Sequence, residues 1–336
     1  MSQSLPIVAL TPGDCTGIGP EQLARILHDR RMAQTARIAV VGDARVLDLG
    51  MRQAGVSFEY RRYDSPKAVD WSDPCVPLID LANTDPANYA PGIGSAESGR
   101  LTGETLAQAI EYAKAGDVDA ISFAPLNKRA MYDGGWKFPD EHKMFANLLG
   151  HRGYFGEMNV LGNHWMSRVT SHISLREALD QINRQAIEEA IQLSSTMMKK
   201  AGIPAPRLAV AALNPHGGEG GLFGRDEIDI IGPAVAAMAA TGIDCKGPFP
   251  SDTVYLKAFA GEYDGVLSMY HDQGQIATKM QGFNRGVTIT AGLDTVLTTP
   301  AHGTAFDIVG KGIANTGALE AAIVLAARLG ARVPLS

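Results

Sequence analysis

Three short, largely apolar segments of this sequence each end in a histidine, a residue that commonly binds metal ions. The segments are Arg168–His172, Leu208–His216 and Gly265–His271. If they are strands of an open α/β sheet, their carboxyl ends lie at the edge where ligands collect. Three imidazoles brought to that edge would hold a divalent metal and leave a position for a substrate oxygen. The pattern therefore predicts a metal-dependent enzyme.

The residues that flank these histidines favour metal binding over a structural role. A single histidine in an apolar segment is more often part of the core than a ligand. However, His216 lies within Asn214–Gly221, whose sequence NPHGGEGG is too rich in glycine for a core element. His271 is followed by the polar residues Asp272–Gly274, which packing does not explain. The sequence thus predicts His172, His216 and His271 as metal ligands.

The elements that must position these residues alternate along the chain. Segments 6–10, 37–41 and 120–124, with the three histidine segments, predict short buried parallel strands. Ser174 to Glu177 form a capping box, and the helix that it opens is expected to reach Lys200. Further helices are predicted from Asp226 to Gly242 and over residues 318–329. This alternation predicts an α/β fold with a mostly parallel sheet.

Composition limits the classes of function. The chain has 336 residues, which favours two domains, and no flexible linker separates them. Its net charge of −6 argues against nucleic-acid or anionic-membrane partners. No apolar segment is long enough to span a membrane and the start does not resemble a signal peptide, so a cytoplasmic location is expected. The three cysteines are odd in number and widely spaced, and Cys15 is expected to be a loop residue rather than a nucleophile.

A glycine-rich segment near the start is a candidate ligand-binding loop. Residues 11–20, TPGDCTGIGP, follow a predicted strand and precede a predicted helix. Pro20 suits the first helical turn, and the glycines allow close approach of the backbone to a ligand. The segment lacks the GxGxxG pattern, so an ordinary Rossmann domain is not supported.

Several of these motifs together resemble the 4-hydroxythreonine-4-phosphate dehydrogenase family. The resemblance spans nearly the whole chain and rests on segments 11–14, 17–20, 170–172, 214–221, 270–274 and 279–283. It implies that the three histidines bind one divalent metal, with ligands shared across a homodimer. Zn²⁺ is the expected ion for three nitrogen ligands, with Mg²⁺, Mn²⁺ and Co²⁺ as alternatives. The resemblance also implies that Lys279 and His142 contact the substrate.

A second resemblance concerns the segment His302–Asn315, which is similar to the adenosine-binding loop of isocitrate and isopropylmalate dehydrogenases. It implies a two-lobed α/β/α fold with a cleft between the lobes. Residues 1–125 and 283–336 would form the lobe with the cofactor loop, and 126–282 the lobe with metal, substrate and dimer contacts. The implied cofactor-binding residues are His302, Gly303, Thr304, Ala305, Asp307 and Asn315.

The expected cofactor is NAD. In the superfamily of isocitrate and isopropylmalate dehydrogenases, members that use NAD carry an acidic residue where Asp307 stands, whereas those that use NADP carry a lysine. A carboxylate accepts hydrogen bonds from the ribose hydroxyls and repels a 2′-phosphate. The alternative interpretation of segment 302–315 is a surface turn whose glycines are incidental.

Some residues depart from the family pattern in the region that contacts substrate. Thr288 stands where the family has an asparagine, and Leu297 stands at the position of an arginine that contacts substrate. Leucine cannot pair with an anion. After a one-residue insertion, Lys143 follows His142; it either restores a positive charge or is a solvated surface lysine. These differences predict a hydroxy-acid substrate such as a sugar-acid phosphate or a cyclic diol carboxylate. The alternatives are 4-hydroxythreonine 4-phosphate itself and, remotely, phosphate acyl transfer.

The predicted reaction is oxidation of a secondary alcohol beside a carboxylate, with hydride transfer to NAD⁺. A divalent metal would lower the pKa of the alcohol and would assist decarboxylation if the product is a β-keto acid. Lys279 would hold the carboxylate or protonate the enolate. Asp252 and Asp272 are candidates for proton relay or for orienting the histidines, although both could simply cap turns.

Overall fold

A computed structural model of the chain describes residues 5–282 and 285–331. They form two compact units. Unit 1 consists of the described parts of Met1–Arg152 and Leu293–Ser336, and unit 2 is Gly153–Gly292. Strands and helices are numbered along the chain. No helix among the described residues combines the length and the apolarity that crossing a bilayer would need.

Unit 1 contains six parallel strands in the order β3-β4-β2-β1-β5-β12. The strands are β1 Ile7–Thr11, β2 Arg37–Gly42, β3 Tyr60–Tyr63, β4 Val76–Asp80, β5 Ala120–Phe123 and β12 Val296–Pro300. Its helices are α1 Gly19–His28, α2 Ala44–Ala54, α3 Ala96–Lys114, α4 Lys128–Asp133, α5 Glu141–Leu149 and α11 Gly317–Gly330. Strands β5 and β12 are buried at every residue, as is usual in a parallel sheet with both faces covered.

The strand order of unit 1 predicts a ligand crevice beside β1. The chain leaves β1 for β2 on one side of it, and β5 pairs with β1 on the other side. Loops that leave neighbouring strands in opposite directions open a crevice at the carboxyl ends of the strands. The glycine-rich segment after β1 lies at this position, and the 302–315 loop follows β12, the neighbour of β5.

Unit 2 contains a mixed sheet in the order β11-β6-β7-β10-β8-β9, in which β7, β10, β8 and β9 are parallel. The strands are β6 Gly156–Leu161, β7 His164–Arg168, β8 Leu208–Ala211, β9 Cys245–Phe249, β10 Gly265–Ser268 and β11 Gly286–Ala291. The helices are α6 Leu175–Gln181, α7 Arg184–Lys200, α8 Gly232–Ala240, α9 Ser251–Phe259 and α10 His271–Met280. The strands that precede the three histidines are therefore adjacent and parallel.

Three details of the predicted elements are wrong. Strand β7 ends at Arg168 instead of running from Arg168 to His172. The helix predicted from Ser174 to Lys200 is broken before α7, because Asn183 accepts a hydrogen bond from the Ala186 amide and caps a new helix. The helix expected from Asp226 begins with a π-helical turn, Glu227–Ile231, before α8.

The unit boundaries also differ from the predicted lobes. Residues 126–152 belong to unit 1 because this segment packs against that unit. The Trp136 Nε1–H donates to the Arg100 carbonyl at 3.0 Å, and the ring centroids of Phe145 and Phe123 are 5.4 Å apart. Residues 286–291 belong to unit 2 because β11 pairs along its whole length with β6. The first boundary therefore follows Arg152, and the second follows Gly292.

Candidate functional site

Two of the three predicted metal ligands lie side by side in unit 2. His172 follows β7 and His271 begins α10 just after β10, and these two strands are parallel neighbours. The ring centroids are 5.4 Å apart, with the planes inclined at 45°. This histidine pair (His172 and His271) helps to line a cavity of about 180 Å³. The other lining residues are Thr170, Ser171, Ile173, Leu175, Ala178, Tyr270 and Asp272.

The backbone around the histidine pair is fixed by hydrogen bonds between the two strand ends. The Thr170 amide and hydroxyl both donate to the Met269 carbonyl, at 3.2 and 3.0 Å. His172 itself adopts a left-handed conformation with φ +53°, which is uncommon for a residue with a side chain. Strained backbone of this kind is found most often at functional sites.

Carboxylates lie close to both rings. His271 Nδ1 is 2.7 Å from Asp272 Oδ1, so a proton on Nδ1 donates to the carboxylate and the Nε2 lone pair stays available for a metal. His172 Nε2 is 3.6 Å from Glu157 Oε2. An imidazole oriented by a neighbouring carboxylate is a common feature of metal sites. The geometry therefore suits the predicted orienting role of Asp272.

His216 lies apart from the histidine pair, in an exposed loop. The loop contains several left-handed residues, including His216 itself with φ +53°. Glu227 anchors it, because its Oε1 accepts hydrogen bonds from the amides of Leu213 and Asn214 at 2.8 and 2.7 Å. The His216 ring lies 6.1 Å from the ring of Phe223. Within the described part of one chain, no three His, Cys, Asp or Glu side chains are placed to hold a metal ion.

One chain thus brings together two of the three predicted metal ligands. Its two adjacent imidazoles match the nitrogen donors that Zn²⁺ and related divalent ions prefer, so the donor chemistry fits the predicted metal. The expectation that all three histidines meet is not met within one chain. The exposure of His216 is compatible with a ligand that acts on a second copy.

Gln273 is a residue of this site that the sequence reasoning did not identify. Its Oε1 accepts a hydrogen bond from the Met269 amide at 2.7 Å, and its Nε2 donates to the Ala212 carbonyl at 2.8 Å and to Ser251 Oγ at 2.9 Å. It therefore ties the start of α10, which carries His271, to the loop after β8 and to α9. In the sequence, the glutamine of the YHDQG motif was the signal that could have pointed to Gln273.

The other predicted catalytic residues of unit 2 are on the surface. Lys279 is exposed in the last turn of α10, and Asp252 is exposed in the first turn of α9. Phe283, which ends the KMQGF motif, lies outside the described residues. Both Lys279 and Asp252 are therefore accessible to solvent.

Thr288 belongs to a buried polar row in the sheet of unit 2. Its Oγ1 accepts a hydrogen bond from Asn159 Nδ2 at 2.9 Å, and Asn159 Oδ1 accepts one from the Arg168 guanidinium. The guanidinium is also 3.3 Å from Glu157 Oε1, and burial lowers the pKa of Arg168 against the opposing effect of that carboxylate. The Thr288 hydroxyl is thus already engaged inside the protein. The alternation of the polar residues Glu157 and Asn159 along β6 was the sequence signal that could have indicated this polar row.

The predicted substrate residues His142, Lys143 and Leu297 all lie in unit 1. His142 is buried in α5 with 5% exposure, whereas Lys143 is exposed next to it. The sequence prediction assigned His142 and Lys143 to the central lobe, whereas they lie within the residues of unit 1. Leu297 is 1% exposed and pairs with Ile121 in the sheet, so a leucine there fills the core.

The 302–315 loop of unit 1 packs against the glycine-rich segment. The Ile18 amide donates to the Thr304 carbonyl at 3.1 Å. A Cβ on Gly17 would lie 3.0 Å from the Thr304 Cβ, so a larger residue there would push Thr304 away by a few tenths of an ångström. Asp307 and Gly303 are exposed in the loop, and Ala305 is left-handed with φ +45°.

Cys15 is buried, and burial raises the pKa of its thiol to about 12, which argues against a nucleophilic role.

The chain matches one protein family along most of its length. The family described as "Pyridoxal phosphate biosynthetic protein PdxA" matches residues 34–326. A Pseudomonas aeruginosa protein provisionally named 4-hydroxythreonine-4-phosphate dehydrogenase 2 is 44% identical over 97% of this chain and 98% of its own. A D-threonate 4-phosphate dehydrogenase of Pectobacterium atrosepticum is 40% identical over 96% and 99%.

Solved structures agree with these relatives. A 4-hydroxythreonine-4-phosphate dehydrogenase from Klebsiella pneumoniae superposes with a TM-score of 0.85 at 38% identity, covering 98% of this chain and 99% of that one. A terephthalate 1,2-cis-dihydrodiol dehydrogenase from Burkholderia xenovorans gives a TM-score of 0.66 at 29% identity, over 96% and 98%. A β-decarboxylating dehydrogenase from Thermococcus kodakarensis shares the fold alone, with a TM-score of 0.50 at 14% identity over 97% and 84%.

The predicted α/β fold and the predicted family are both confirmed. The family match and the identity over nearly the full length of the relatives leave one conclusion. The chain belongs to the PdxA family, and it is an oxidoreductase that acts on CH–OH groups.

Proposed function

We propose that the chain oxidises a phosphorylated four-carbon hydroxy acid, of the class of 4-hydroxythreonine 4-phosphate and D-threonate 4-phosphate, with NAD⁺ as hydride acceptor and a divalent metal. The observation that carries the proposal is the full-length similarity to relatives named for these two substrates. These relatives support the alternative that the sequence left open, 4-hydroxythreonine 4-phosphate, better than a cyclic diol carboxylate. The Burkholderia xenovorans neighbour, which is named for a diol, is more distant at 29% identity.

The metal would be held by the histidine pair of one copy and His216 of a second copy. His216 is exposed, and it lies among large exposed apolar residues: Leu222 is 74% and Phe223 is 48% exposed. On α10, which begins with His271, Met280 is 83% exposed. Exposed apolar residues on this scale mark protein interfaces, and in a two-fold dimer each copy offers the same surface to the other. A homodimer would therefore complete two equivalent sites.

Each side chain of the site has a defined task in this proposal. The metal, when bound, supplies a Lewis acid that lowers the pKa of the substrate hydroxyl. Asp272 holds His271 in the tautomer that presents Nε2. Lys279 binds the substrate carboxylate or, if decarboxylation follows, protonates the enolate. Asp252 is exposed in the first turn of α9 and is proposed to relay a proton to solvent.

The proposed cofactor contacts lie in unit 1. The 302–315 loop would bind the adenosine half of NAD. Asp307 is exposed there, so its carboxylate is accessible to the ribose hydroxyls and would repel the 2′-phosphate of NADP. His302, Gly303, Thr304, Ala305 and Asn315 would complete the contacts.

The substrate phosphate needs a cationic partner that Leu297 cannot supply. Lys143 is the candidate in unit 1, since it is exposed in the first turn of α5 beside His142. A helix amino terminus and a lysine both favour a phosphate. The alternative is that Lys143 is only a solvated surface residue, which Lys143→Met would reveal through an unchanged KM for the phosphorylated substrate.

A comparison of substrates tests the proposal. NADH formation is followed with D-threonate 4-phosphate, 4-hydroxythreonine 4-phosphate and the unphosphorylated form of each. The proposal expects turnover of a phosphorylated acid and a much lower kcat/KM for its unphosphorylated counterpart, because the charge-assisted phosphate contacts are lost. Preference for an unphosphorylated acid or a cyclic diol would contradict it.

A further inference from the structure

Two polar side chains of α1 are completely buried although neither belongs to the predicted site. Glu21 and Gln22 lie in the first turn of this helix, immediately after the glycine-rich segment, and each is 0% exposed. Burial of a carboxylate and an amide is unfavourable unless hydrogen bonds compensate for the lost water. Their partners therefore indicate why these residue types are needed.

Both side chains hold the 302–315 loop. Glu21 Oε1 accepts a hydrogen bond from the Ala314 amide at 2.9 Å, and the Gln22 amide Nε2 donates to the Asn315 carbonyl at 2.7 Å. Gln22 Nε2 is also 3.5 Å from His302 Nε2, so one side chain reaches both ends of the loop.

Arg25 extends this set of contacts by one turn of the helix. The Arg25 Nε donates to Glu21 Oε1 at 3.1 Å, and the Arg25 Nη2 donates to the Gly312 carbonyl. The carbonyls and amide contacted at 312, 314 and 315 belong to the loop backbone, so these contacts fix its path and not only its side chains. The loop is thereby held in one shape without any contribution from a ligand.

We infer that Gln22, together with Glu21, is a positioning residue for the adenosine half of the dinucleotide. The inference rests on the proposed function, since it takes the 302–315 loop as the adenosine site. A loop that is already ordered does not lose that conformational freedom on binding, so the affinity for the ligand is higher. Neither residue needs to touch the cofactor to have this effect.

The test separates the adenosine half of the cofactor from the nicotinamide half. Binding of ADP-ribose and of nicotinamide mononucleotide is measured by calorimetry for the wild type and for Gln22→Met, which keeps the length of the side chain and removes the donor. Loss of one buried hydrogen bond is expected to weaken ADP-ribose binding by about tenfold. Nicotinamide mononucleotide binding and kcat at saturating NAD⁺ should not change.

Two further variants keep the result interpretable. Gln22→Glu has nearly the same shape but turns an acceptor toward the Asn315 carbonyl. It should lose at least as much affinity for ADP-ribose as Gln22→Met, and it provides the test if the methionine variant folds poorly. Gln34→Met is the matched control, because Gln34 is exposed outside the loop. It should bind ADP-ribose like the wild type.

The outcomes distinguish this inference from the proposed function. Asp307→Ala is measured in parallel. If Asp307→Ala weakens ADP-ribose binding and both Gln22 variants leave it unchanged, the positioning role of Gln22 is refuted alone. If none of the three variants affects ADP-ribose binding, the assignment of the adenosine site to this loop fails, and the inference fails with it.

Discussion

Mixing two inactive variants of this chain should restore activity. His216→Ala removes the proposed third ligand, whereas His271→Ala removes one of the histidine pair, whose rings are 5.4 Å apart in the same chain. If a site takes its pair from one copy and His216 from the other, a mixed dimer of these variants contains one site in which every ligand is intact. Each variant alone has none.

The size of the effect follows from the arrangement of the ligands. Random exchange of equal amounts of the two variants makes about half of the dimers mixed, and one of the two sites in each mixed dimer is complete, so about 25% of wild-type activity is expected. The value assumes equal affinity among all copies. Co-expression with two different affinity tags, followed by isolation of the doubly tagged dimer, raises the expected value to about 50%.

A matched mixture provides the control. His172→Ala and His271→Ala both damage the pair of their own chain, so no mixed dimer contains an intact site and no activity should return. NADH formation by the doubly tagged dimers measures both combinations under the same conditions. Recovery in the control mixture, or no recovery with His216→Ala and His271→Ala, would refute the shared site.

Three further outcomes are expected. Asp307→Lys should shift the ratio of kcat/KM for NAD and NADP toward NADP, because it replaces a charge that repels the 2′-phosphate with one that attracts it; an unchanged ratio would count against the Asp307 argument. Asp272→Asn should weaken metal binding by about 10- to 100-fold, measured by Co²⁺ titration of the absorption spectrum, since it removes the carboxylate that orients His271; equal affinity would refute that role. Arg168→Met should lower the free energy of unfolding in urea by about 3–5 kcal/mol because it removes the buried guanidinium that pairs with Glu157, whereas adding Glu157→Gln should recover much of the loss. Additive losses in the double variant would show that the two residues are not coupled.

The sequence predicted well what depends on local pattern. The apolar segments before the three histidines are strands β7, β8 and β10 or lead directly from them, and these strands are adjacent and parallel as the strand-edge argument requires. The capping box at Ser174 also forms as predicted. Hydrophobic periodicity and capping residues act over a few positions, so a single sequence records them.

Long-range features were harder to predict. Among the described residues His216 does not join the histidine pair in a metal-binding group, and the hydrogen bonds by which Glu227 holds the loop after β8 are not encoded in any spacing of the sequence. The assignment of α4 and α5 to unit 1 depends on packing between Phe145 and Phe123. The hydrogen bond from Asn159 to the Thr288 hydroxyl depends on strand register, which aligned motifs do not show, and substrate contact by Thr288 stays a prediction.

Return of a divalent metal to the metal-free protein is the most direct test of the proposed chemistry. The measurement is the rate of NADH formation from D-threonate 4-phosphate as Zn²⁺, Mn²⁺ or Co²⁺ is titrated into protein stripped by a chelator. We expect no turnover at the start and a rise that saturates near one ion per chain for at least one metal. Full turnover in the continued presence of chelator would contradict a metal-dependent dehydrogenase.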